Sequence, residues 1–186
     1  MDVPTNADIN CLDGYCGHLT YLVLAPPGRE VTHLVVKDGF LGDEHLVPID
    51  MIIECKATEV WLCCVKSEFK QMPLYGRNKD LPLVKSARQD GVGQECPIRV
   101  KREQIPEKEI ALKRGVAVRA LDGQVGQVSK VLIVPTDRTI TYLVAEGGHF
   151  WEKHQVSIPV SEIERIDKDA VYLRITKDIV EALQTV

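Results

Sequence analysis

The stretch CLDGYCGHLTYLVLAPPGREVTHLVV, residues 11–36, is restated 109 positions later as ALDGQVGQVSKVLIVPTDRTITYLVA, residues 120–145. Two residues are then inserted in the second copy, and LVPIDMIIECKATEVWL (46–62) realigns 111 positions on with SIPVSEIERIDKDAVYL (157–173). Identical pairs include Asp13 and Asp122, Gly14 and Gly123, Gly17 and Gly126, Pro26 and Pro135, and Arg29 and Arg138. An internal repeat bounds the architecture before any single segment is read. It also supplies a control, because whatever one copy uses must be explained against its counterpart in the other.

The repeat divides the 186 residues into a first copy at 1–76, a connector at 77–113 and a second copy at 114–186. A unit of about 70 residues buries only about 60% of its unfolded surface, so two such units gain from packing on each other or on a partner. The charge is uneven. The first copy carries 5 basic and 11 acidic side chains, the connector 9 and 6, and the second copy 9 and 10. Neither copy is a basic platform, which argues against direct binding of nucleic acid. No apolar run approaches the ~20 residues that a membrane-spanning helix needs. The opening MDVPTNADIN lacks the charged-then-apolar pattern of an export signal, so a cytoplasmic protein with reduced cysteines is expected.

Each copy reads as short strands. Val171, Leu173 and Ile175 alternate with Tyr172, Arg174 and Thr176, the period of a strand with one buried face. The Asp-Gly pairs at 13–14 and 122–123 sit between apolar runs and signal tight turns. GQVSKVLIV and TITYLVA flank a turn at 135–137 and read as a hairpin. Pro48 and Pro159 assign their strands to sheet edges, where a missing N–H is tolerated, or place them at a strand start. SEFKQM (67–72) and KDIVEAL (177–183) close the two copies as short helices. The connector mixes prolines, glycines and both charges with a strand-like IRVKRE, and reads as partly ordered.

The order of these features resembles the PRC-barrel family: a strand, D-G-x-x-G, a V-x-x-V-L-I-x-P strand, T-x-x-I-T-Y-L-V, I-P-V-S-x-I and a final V-x-L strand. The second copy matches from Arg114 to about Leu183. The first matches less closely from about Asp8 to Tyr75, with VPID at 47–50 in place of IPVS. The resemblance implies an all-β fold of two tandem, small, partly open barrels, each a meander of five or six strands with a short C-terminal helix. It implies a binding or scaffolding module and no catalytic residues. The family includes the cytoplasmic domain of the photosynthetic reaction-centre H subunit and the C-terminal domain of a ribosome-maturation factor. This chain departs from both, having neither a membrane helix nor a different barrel before the repeat.

The residues that could carry chemistry read as structural. Cys11, Cys16, Cys55 and Cys64 align with Ala120, Val125, Ile166 and Ile175, so they are expected to be buried small hydrophobes. Cys63 aligns with Arg174 and should face outward, while Cys96 lies in the connector. Their spacings do not match paired zinc-ligand patterns. The histidines have no neighbouring nucleophile or acid in sequence. In DGYCG and DGQVG a strand follows the glycines, whereas a phosphate cradle needs a helix there. Asp13, Gly14, Gly17, Asp122, Gly123 and Gly126 are therefore structural turn residues, and no metal, cofactor or enzymatic activity is expected.

One repeated loop stands out. KDGFLGDEH (37–45) parallels EGGHFWEKH (146–154), and both set large apolar residues beside glycines. These residues either fold over the open barrel end or form a contact patch. Aromatic side chains are favoured interface anchors, so Phe40, Leu41, Phe150 and Trp151 are the candidate partner-binding residues. The expected function is a non-enzymatic adaptor that holds another macromolecule, with a protein as partner and self-association among the options. The alternative is a small-ligand, metal or redox sensor built on the barrel mouth and the cysteines.

Overall fold

The computed structural model describes residues 1–75, 110–147 and 154–183. In chain order the first copy contributes β1 (Asp2–Pro4), β2 (Asp8–Cys11), β3 (Gly14–Ala25), β4 (Glu30–Lys37), β5 (Glu44–Pro48), β6 (Ile52–Cys55), β7 (Glu59–Leu62) and helix α1 (Lys66–Phe69). The second part contributes β8 (Ile110–Lys113), β9 (Ala117–Ala120), β10 (Gly123–Ile133), β11 (Ile140–Gly147), β12 (His154–Pro159), β13 (Ile163–Ile166), β14 (Ala170–Leu173) and helix α2 (Lys177–Ala182). The protein is all-β. Each copy builds one curled sheet, ordered β5-β4-β3-β2-β7-β6 in the first and β12-β11-β10-β9-β14-β13 in the second. The end strands of each path do not pair with each other, so the barrels stay open. β5 and β12 lie at sheet ends, where Pro48 and Pro159 terminate them without breaking an interior ladder.

Each sheet has a seventh strand, and it comes from the other copy. β1 pairs antiparallel with β10, setting Val3 opposite Val131. β8 pairs antiparallel with β3, setting Leu112 opposite Leu22. The two copies thus exchange their leading strands reciprocally. β3 and β10 are long enough to hold two partners end to end on one edge: Gly14–His18 faces β2 and Tyr21–Leu24 faces β8. Residues 2–4, placed by sequence in the first copy, are thereby a strand of the second sheet. Residues 110–113, placed in the connector, are a strand of the first. Periodicity shows that a run is a strand but not which edge it joins, so the exchange has no signature in either segment.

The exchange merges the interiors. Val3 and Leu112 are buried in one continuous apolar cluster that also holds Ile9, Leu22, Leu34 and Val60 from the first copy and Val118, Val131, Leu143 and Val171 from the second. The matched turns also meet across the copies. The Val31 N–H donates to the Arg138 carbonyl at 3.0 Å, and the Ile140 N–H donates to the Arg29 carbonyl at 2.7 Å. The Arg138 guanidinium reaches the Asp50 carboxylate. This exposed ion pair fixes geometry more than it stabilises.

The D-G-x-x-G motif does more than turn the chain. Gly14 and Gly123 hold φ of 116° and 142°, in the region only glycine visits freely. Gly17 lies so close to β4 that a Cβ would collide with the Lys37 carbonyl, and at Gly126 it would lie 2.6 Å from the Glu146 carbonyl oxygen. Asp13 Oδ1 accepts the Lys66 N–H at 2.9 Å, and Asp122 Oδ1 accepts the Lys177 N–H at 2.9 Å. Each turn aspartate therefore caps the helix that closes its own copy, satisfying one of the N–H groups a helix start leaves without a partner.

Candidate interaction surface

The β4–β5 hairpin ends in the loop at 38–43. Its base is closed by the Asp38 N–H donating to the Asp43 carbonyl at 3.0 Å, and Lys70 beside α1 lies 3.5 Å from the Asp38 carboxylate. After α1 the chain runs back along β5. The Leu46 N–H donates to the Pro73 carbonyl at 2.7 Å, and the Tyr75 N–H donates to the Glu44 carbonyl at 2.8 Å. Below the loop, the buried His45 packs its ring 4.8 Å from that of Phe69 and approaches the Met72 carbonyl through Nδ1 at 3.3 Å. The loop thus rests on an anchored base. At its tip Phe40 and Leu41 are 88% and 90% exposed. They do not fold back over the barrel end. Each would contribute about 1.5–3 kcal/mol if a partner buried it fully. The equivalent Phe150 and Trp151 lie outside the described residues.

A second feature emerges only when the copies are compared in register. On the outer face of the first sheet, Tyr15, Asn10, Trp61 and Glu54 form a row across β3, β2, β7 and β6. The same row in the second sheet is Gln124, Arg119, Tyr172 and Arg165. In the first, the Trp61 indole donates to Glu59 at 3.2 Å and Lys56 sits 5.4 Å over its ring. In the second, the Arg165 guanidinium stacks 4.1 Å over Tyr172 and lies 3.3 Å from Asp167. The signal was present in sequence as opposed side chains at matched strand positions, but burial alternation alone marks them only as outward-facing.

The cysteines lie partly where the repeat places them. Cys11, Cys16 and Cys64 are buried and Cys63 is exposed. Cys55 is only half-buried, a departure from the buried position expected of it, because its strand β6 is an end strand whose outer side is not covered as an interior strand would be. Cys96 lies outside the described residues. The fold also brings three thiols together, which the sequence did not indicate: Cys11 lies beside both Cys16 and Cys64. Burial pushes Cys11 and Cys64 up to about 12, and raises Cys16 as well. The Cys16 thiol also donates to the Ile9 carbonyl at 3.3 Å. These groups are therefore held as thiols, the form that neither attacks nor ligates. Their counterparts Ala120 and Ile175 are buried in the second copy, and Val125 is partly buried against the same core. Among the described residues no cluster of three or more His, Cys, Asp or Glu is arranged to hold a metal ion, and no helix is long and apolar enough to cross a membrane.

No protein-family model matches the chain, and no curated protein matches it.

Proposed function

We propose that this chain is a tandem PRC-like barrel protein that works as an adaptor, holding a protein partner by the apolar tip of the β4–β5 hairpin. The observation that carries the reading is the near-complete exposure of Phe40 and Leu41 on an anchored loop. The closed base of the loop spares part of the backbone ordering cost of docking, and two adjacent large apolar side chains held out on it offer a partner surface to bury. The stretch EGGHFWEKH (146–154), which repeats the aromatic-and-glycine pattern in sequence, supports the same use in the second copy. A sensor reading would rest on the three clustered thiols, and their raised pKa values weigh against it. The adaptor acts by binding rather than by catalysis and works in the cytoplasm.

The test is capture from cells that express the protein natively. The wild-type chain and a Phe40→Ser/Leu41→Ser variant are each used as bait, and the retained proteins are quantified by mass spectrometry. The reading expects one or a few proteins to fall at least about tenfold with the variant, the loss of a hot-spot contact, while its thermal midpoint stays at the wild-type value. Equal capture by both baits would overturn it.

A further inference from the structure

The matched rows on the two outer faces differ in both shape and charge. The first-copy face carries large exposed apolar side chains. Tyr15, Leu12 and Ile53 are exposed, Trp61 is half-buried, and three carboxylates (Asp8, Glu54 and Glu59) accompany one lysine, Lys56. The second-copy face is hollow. Arg119, Leu121, Gln124, Glu164 and Tyr172 line an open depression of about 480 Å³. Gln124 and Glu164 stand where the first copy has the apolar Tyr15 and Ile53. Three arginines (Arg119, Arg165 and Arg174) accompany Glu164 and Asp167 there. One face is therefore proud, apolar and acidic, and the other is recessed and basic.

We infer that the Tyr15–Trp61 face of one molecule docks into the Arg119–Tyr172 hollow of a second copy of this chain. Apolar side chains from the first enter the recess, while its carboxylates meet the arginines at the rim. Complementary potentials of this kind set register and orientation more than affinity, and Arg and aromatic side chains are the residues interfaces favour. The contact is heterologous: a pair of molecules keeps one free face of each type, so further copies add to it as a ring or an open chain. This inference does not depend on the loop-borne partner, because it uses neither Phe40 nor Leu41.

The experiment is sedimentation velocity on the full chain at low ionic strength, with Tyr15→Arg to spoil the proud face and Arg119→Glu to spoil the hollow. Both positions are exposed. The wild type is expected to exceed twice the 20.8 kDa chain mass as concentration rises. It should dissociate as salt shortens the screening length from about 10 Å at 0.1 M toward about 3 Å at 1 M. Each variant alone should stay monomeric. A one-to-one mixture of the two should form a pair and stop there, because only one intact face of each kind remains. Should Tyr15→Arg fail to keep the wild-type thermal midpoint, Glu54→Lys replaces it. A wild type that is monomeric to about 1 mM, an association that neither variant weakens, or a mixture that does not pair would each overturn the inference.

Discussion

At the scale of single residues, the repeat makes every role testable twice. Gly17 and Gly126 face a neighbouring carbonyl with no room for a Cβ. Alanine at either should cost about 1–3 kcal/mol, the range for forced overpacking, read as a shift in urea midpoint. Asp13 and Asp122 each accept one helix-start N–H. Asp13→Ala or Asp122→Ala should cost about 0.5–2 kcal/mol, with asparagine recovering part of it. If the alanine variants match the wild type, the aspartates are turn residues only. The buried thiols make a pH prediction. Cys11 and Cys64 titrate near 9.0 when unfolded and about 12 when folded. Between those values the unfolded chain has released protons that the folded chain keeps, so stability is intact below about pH 9 and falls as pH rises toward 12. Cys11→Ala and Cys16→Val, which install the second copy's residues, should flatten that alkaline decline in urea midpoint. An unchanged slope would place its cause elsewhere. Sequence made the burial of these thiols legible through Ala120 and Val125, but not their meeting. Cys11 and Cys64 are far apart in the chain, and a parallel pairing of β2 with β7 brings the end of β2 beside the residues that follow β7, where the Leu12 N–H donates to the Cys64 carbonyl.

At the scale of elements, the sheets bend at matched irregularities. Thr20 and Ser129 each interrupt a ladder, and their hydroxyls donate to the Val35 and Val144 carbonyls at 3.0 and 3.2 Å. Thr32 and Thr141 do the same toward the Val23 and Leu132 carbonyls at 3.3 and 3.2 Å. A bulge sharpens strand twist and bend, which helps a short sheet curl. Ser129→Ala should cost about 0.5–1.5 kcal/mol, the net contribution of one hydrogen bond, and hydrogen exchange should quicken at β10 and β11. The strands themselves were legible, because alternation such as Val171-Tyr172-Leu173 survives folding unchanged. The helices were legible as short apolar-faced ends. At four and six residues they are too short to stand alone, and they exist because the turn aspartates and the buried Phe69 and Val180 hold them. Partner choice was not legible, because β1 and β8 are too short to carry a pattern that favours one sheet over the other.

At the scale of the whole molecule, the reciprocal exchange turns two marginal barrels into one cooperative body. Each sheet is completed by a strand that arrives from the other copy, and one apolar cluster spans both. Denaturant should therefore unfold the two copies in one transition, with probes at Trp61 in the first and Tyr172 in the second giving the same midpoint. The most direct test follows the strand that crosses over. Val3 belongs to the first copy by sequence, is fully buried, and pairs with Val131 in the second sheet. The measurement is native-state hydrogen exchange on Val3→Ala, resolved along the chain. The account predicts the largest loss of protection in β10 around Lys130–Leu132 and in β11 behind it. Loss confined to β2 and β3, with the second sheet untouched, would contradict the exchange.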